Sequence, residues 1–150
     1  MLFYSNNIKQ FFYNKLMSEG KYEWFSTFTT KTQVNDKQID ILYSMFFKWL
    51  KRLQVSLKSK YRDTELIYAF VIEKGKISKF NHIHALIKTK EGYLLKDCND
   101  RKKWELRWKK INIDNIRGGS SKILPFDTEN RQYILKQLDK DAPFFMGNWL

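Results

Sequence analysis

Two stretches of the chain alternate apolar and polar positions, and several others repeat apolar residues at helical spacing. The clearest strand covers 64–73 (TELIYAFVIE), where Leu66, Tyr68, Phe70 and Ile72 make one wholly apolar face. A second covers 81–89 (NHIHALIKT), with Ile83, Ala85 and Ile87 as its apolar set. The short connection at 75–80 favours an antiparallel hairpin whose apolar faces bury together. Residues 22–30 (YEWFSTFTT), rich in aromatics and threonine, predict another strand. A helix is predicted over 5–18 from Ile8, Phe11, Phe12 and Leu16, with Gly20 as its stop. Asn35 or Asp36 caps a long helix to about residue 57, striped by Ile39, Leu42, Phe46, Trp49, Leu50, Leu53 and Leu57. Residues 97–109 read as a basic helix anchored in the core by Trp104 and Trp108. Gly118 to Ser121 mark a turn, and 122–124 could form an edge strand after it. Pro125 and then Asp127 or Thr128 open a last helix to about Asp139, and the apolar tail docks on the core. This order predicts an α+β fold with an antiparallel sheet and helices packed mainly on one face.

At 150 residues the chain is the size of one domain, and we take 1–150 as such: an N-terminal helix to residue 20, a core over 22–140 and a docked tail over 141–150. That length leaves no room for a nuclease and a motor together. Lys and Arg number 28 against 16 Asp and Glu, a formal charge of +12, which points to a polyanionic partner and first to nucleic acid. Lys48, Lys51, Arg52 and Lys58 lie off the apolar stripe; a solvated face and phosphate contact are both open readings. Cys98 is the sole cysteine, so neither a disulfide framework nor a cysteine zinc site forms within one chain, and a reducing, cytoplasmic setting fits. The longest apolar run, Leu66 to Ile72, is too short for a membrane span, and no leader is expected.

The only two histidines, His82 and His84, are two residues apart on a predicted strand. That spacing puts both rings on one face, as two imidazoles converging on one metal ion require. Strand parity projects Glu73 from the same face, and a register pairing it with His82 brings a carboxylate to the pair. Two nitrogens and one oxygen would leave open positions on a cation, able to polarise a substrate oxygen. On the last helix Tyr133, Lys136, Gln137 and Lys140 share one arc, while Ile134, Leu135 and Leu138 face the core. Tyr133 is thereby a nucleophile candidate with Lys136 a turn away.

Taken together, these segments resemble the HUH endonucleases, and more narrowly the single-tyrosine rolling-circle replication initiators of small plasmids and viruses. Trp24 to Thr30 (WFSTFTT) is similar to the first motif, His82-Ile83-His84 to the second, and Tyr133 to Lys136 (YILK) to the nucleophile motif. The resemblance implies an RRM-like or ferredoxin-like sheet. It further implies Mg²⁺ or Mn²⁺ held by His82, His84 and Glu73, with Gln137 as the competitor of Glu73 for the third position. Tyr133 matches the nucleophile that forms a 5′-phosphotyrosine on single-stranded or hairpin DNA, and Lys136 the lysine that positions it or the phosphate. Basic residues on the 36–57 and 97–109 helices would hold phosphates, and a separate helicase would supply unwinding. The aromatic tail could instead serve a homodimer. The alternatives are a single-strand transposase of the same superfamily and a non-catalytic RRM-like binding module.

Overall fold

Apolar alternation in the hairpin sets the architecture, because one strand face must be covered by each layer packed on it. The computed structural model describes residues 6–18, 21–74, 81–94, 98–140 and 142–149. In chain order these form α1 (Asn6–Ser18), β1 (Trp24–Thr30), a 3-10 turn (Asp36–Gln38), α2 (Ile39–Lys60), β2 (Leu66–Lys74) and β3 (Asn81–Thr89). They continue with α3 (Cys98–Trp108), β4 (Asn112–Ile113), β5 (Ile116–Pro125), α4 (Thr128–Asp139) and β6 (Phe144–Trp149). The six strands lie in the order β4-β5-β1-β3-β2-β6, and every pairing is antiparallel. The inner four, with α2 and α3 as crossovers, make the ferredoxin-like, RRM-like arrangement. The fold is α+β, as the order of elements predicts. The Gly20 helix stop and the 75–80 connection lie outside the described residues. No described helix is long and apolar enough to cross a membrane.

Each face of the sheet has its own core. On the first, Leu42, Phe46, Trp49, Leu50 and Leu53 of α2 and Trp104 and Trp108 of α3 bury Trp24, Phe28, Phe70, Ile72, Ile83, Ala85 and Ile87. The α2 stripe is the one its three-and-four spacing predicts. Asn35 starts it with a capping box, its side chain accepting from the Lys37 amide while Gln38 reaches back to the Asn35 amide. Both tryptophans of α3 are core anchors, and the indole of Trp49 donates to the Trp104 carbonyl at 3.0 Å. On the second face Leu16 of α1 and Ile134 of α4 meet Ala69, Val71, Leu86 and Phe144. The larger helical layer thus covers one face, and two shorter helices cover part of the other.

Two local expectations are corrected. Gly118 to Ser121 are not a turn; they run inside β5, which begins at Ile116 and extends the edge strand expected at 122–124. The turn is Asp114-Asn115, both left-handed (φ 51° and 66°), the conformation that Asp and Asn tolerate best after glycine. The glycines permit close approach instead. A Cβ on Gly118 would lie 1.9 Å from the Trp108 carbonyl oxygen, and one on Gly119 2.8 Å from the Thr30 carbonyl carbon. The tail docks as expected, but as a strand. β6 extends the sheet along β2, with Phe144 buried in the second core and Phe145 packed on Tyr43 and Phe70 of the first.

Candidate active site

At the far end of the β2–β3 hairpin the apolar alternation of the second face gives way to polar residues. The register there pairs Glu73 with His82 and Val71 with His84, so Glu73 and both histidines project from the second face. The packing of α4 adds the fourth member. Ile134 is buried against the sheet, and that rotation carries Tyr133 to the hairpin end, where its hydroxyl donates to Glu73 Oε2. The same oxygen lies 2.8 Å from His84 Nε2 and 3.5 Å from His82 Nε2, and the tyrosine hydroxyl is 3.4 Å from His84 Nε2. One carboxylate oxygen is therefore the hub of three side chains drawn from β3 and α4.

β1 completes the setting. Thr27 lies opposite His84 in the register, and its Oγ1 is 3.1 Å from His84 Nδ1. Phe25, two residues earlier on the same face, stacks parallel to the His84 ring at 5.9 Å and meets Tyr133 edge-on. These contacts hold the imidazole with Nδ1 toward Thr27 and Nε2 toward the open cluster. Neither residue is legible as part of a site until β1 is placed beside β3. Phe25 and Thr27 both fall in the WFSTFTT segment, and their shared parity is the only signal the sequence carries.

The electrostatics favour neutral side chains around a single carboxylate. Burial, followed by repulsion from His82, lowers the His84 imidazole to about 4, against the upward pull of Glu73. Burial, then the hydrogen bond and negative charge of Glu73, raise the Tyr133 phenol above its ordinary value. With His84 uncharged, its Nε2 lone pair is available to a cation. Glu73, His82 and His84 each offer one ligand atom, all within 4.8 Å of one another, so the group can hold a metal ion. A neutral imidazole fixed through its other nitrogen and a carboxylate are the donors such an ion needs, and the residues fit it.

The remaining sequence candidates lie apart from this cluster. Gln137 is buried one turn beyond Tyr133. Lys136 is exposed and lines a groove of about 460 Å³ with Lys9, Tyr13 and Gln132, between α1 and α4. The cations of α2 and α3 expected to hold phosphates sit on the outer side of the first-face helices, across the sheet from Tyr133. A strand lying in the Tyr133 site does not meet them.

No curated protein and no solved structure matches the chain significantly. A family model does match, that of the replication-associated protein ORF2, over residues 23–142, from the start of β1 past the end of α4. The chain belongs to that family of replication-associated proteins.

Proposed function

We propose that this replication-associated protein is an initiator endonuclease that nicks and rejoins single-stranded DNA through a 5′-phosphotyrosine on Tyr133. The observation that carries the reading is convergence. Residues 73, 82, 84 and 133, from two strands and a distant helix, meet around one carboxylate oxygen in a chain of +12 charge. A purely binding module has no use for a buried carboxylate hydrogen-bonded to both a phenol and an imidazole.

Glu73, His82 and His84 are the residues that would hold Mg²⁺ or Mn²⁺, which when bound polarises a phosphate oxygen and offsets transition-state charge. The chain's own residues do the rest. Tyr133 is a neutral phenol at neutral pH, so its proton leaves as its oxygen attacks phosphorus. Glu73 already accepts the hydrogen bond from that hydroxyl and is placed to take the proton. The new bond joins Tyr133 Oη to phosphorus, the bond to the 3′ oxygen breaks, and that oxygen leaves as a hydroxyl after gaining a proton. The phosphodiester energy is kept in the protein–DNA link, so a later 3′-hydroxyl can reverse the step without ATP. Lys136, exposed a turn from the phenol, meets the strand beside the scissile phosphate.

The test uses a labelled pool of random single-stranded DNA, the purified protein and Mn²⁺, resolved on a denaturing protein gel. A labelled protein band is expected, lost with chelator and with Tyr133→Phe. A band that survives Tyr133→Phe overturns the nucleophile. No band with any divalent metal, alongside intact DNA binding, favours the binding module.

A further inference from the structure

The first-face helices carry a feature the nicking site does not use. α2 and α3 run side by side over the sheet and leave an open groove of about 980 Å³ on their outer surface. Its cations are Lys48, Lys51 and Arg52 from α2 and Lys103, Arg107 and Lys110 from α3 and the residues just after it. They recur at three- and four-residue intervals, so each helix presents one basic edge to the groove. None of the lining residues is acidic. Arg107 is held in place by stacking on Trp104, with its guanidinium 4.8 Å from the ring centre. Trp104 is in turn fixed by the backbone bond to Trp49. Between the basic edges the floor is apolar: Val55 is 62% exposed and Leu106 58%.

Cations crowded together without counter-charges repel one another, and a bound polyanion relieves that cost. A second copy of this chain, with the same +12 charge, does not supply it. The pattern of charged edges about an apolar floor matches a sugar–phosphate backbone, whose phosphates reach the edges while its deoxyribose faces lie on Val55 and Leu106. Bases are not read there, because no exposed aromatic lines the groove for stacking. The groove lies across the sheet from Tyr133, too far round the molecule to hold the scissile phosphate. We infer that the α2–α3 groove is a second DNA site, which grips the backbone of double-stranded DNA without reading sequence while the opposite face works on an unpaired strand. This goes beyond the nicking reaction and does not depend on it.

The experiment replaces four exposed cations, as Lys48→Gln, Arg52→Gln, Lys103→Gln and Lys110→Gln together. Binding of a labelled mixed-sequence duplex longer than the groove is followed by fluorescence anisotropy over a salt series. Each neutralised phosphate contact contributes about 0.9 to the slope of log affinity against log salt, so the slope should flatten by about 3. Affinity at low salt should fall at least about tenfold. An unchanged melting curve shows that the fold is intact, and a retained covalent adduct with a short unpaired strand shows that the Tyr133 face is too. Unchanged duplex affinity and slope overturn the inference. So does an adduct lost in step with duplex binding, which would give the groove to the scissile strand. Polyglutamate of matched charge binding as tightly as duplex, with the same loss in the variant, would assign the groove to an acidic protein segment instead. Absence of any adduct from the unmodified protein would sink the nicking reading while leaving the duplex measurement valid.

Discussion

The single residue on which the candidate site turns is His84, and its orientation is set by Thr27. A threonine hydroxyl can donate to Nδ1 or accept from it, so the ring keeps its place with the proton on either nitrogen. Only the form with the proton on Nδ1, donated to Thr27, leaves Nε2 free for a cation. Thr27→Val keeps the shape of the side chain and removes the partner. Metal affinity should fall about 10- to 100-fold, while Thr27→Ser should restore most of it. Isothermal titration with Mn²⁺ measures both, and equal affinity in the valine variant would remove Thr27 from the account. Tyr133→Phe should move metal affinity the other way or leave it unchanged, since it frees the Glu73 oxygen from a competing hydrogen bond. At this scale the sequence was legible where parity alone decides. His82, His84 and Glu73 share a face by counting along two strands. Thr27 and Phe25 were not legible, because their meeting with His84 depends on which strand lies next to β3, and that is a tertiary fact.

Among the elements, the β2–β3 hairpin was the most legible. Its apolar face had one way to be buried, and a slip of a single residue would have turned every side chain over. The long α2 helix was legible for the same reason: its stripe and cap agree. β5 was not, because glycine is ambiguous in sequence. It serves turns through its backbone freedom and strands through its missing side chain, and here the second use applies. Gly118 sits where the end of α3 presses on the sheet, its amide donating to the Ile111 carbonyl at 2.9 Å. Gly118→Ala puts a methyl group against the Trp108 backbone, which cannot rotate away. It should destabilise the protein by at least ~2–3 kcal/mol, measured by urea unfolding. A loss within about 0.5 kcal/mol, the range of ordinary surface changes, would show that α3 can shift and that the glycine is not required. β6 was read only as a docked tail, since FFMGNW lacks clean alternation. Gly147 marks its strand role, because a Cβ there would meet the Tyr68 hydroxyl at 2.6 Å.

The whole molecule divides its labour between the two faces of one sheet. The larger core, under α2 and α3, is apolar throughout and carries the basic groove on its outer side. The smaller core is only partly covered, and its polar end holds the carboxylate, the two imidazoles and the phenol. A cation bound there would tie β2 to β3 in the native state and find no such site in the unfolded chain, so it should stabilise the whole fold. At a free Mn²⁺ concentration about 100 times the dissociation constant the gain is about 2.7 kcal/mol. For a chain of this size that raises the melting temperature by roughly 5–10 °C. His82→Ala with His84→Ala should melt independently of Mn²⁺, whereas the four-glutamine groove variant should keep the full rise, because its substitutions lie on the other face. A rise that persists without both histidines would place the bound cation elsewhere on the molecule. Equal losses in the two variants would mean that the faces are not independent, and that the sheet transmits what happens on one side to the other.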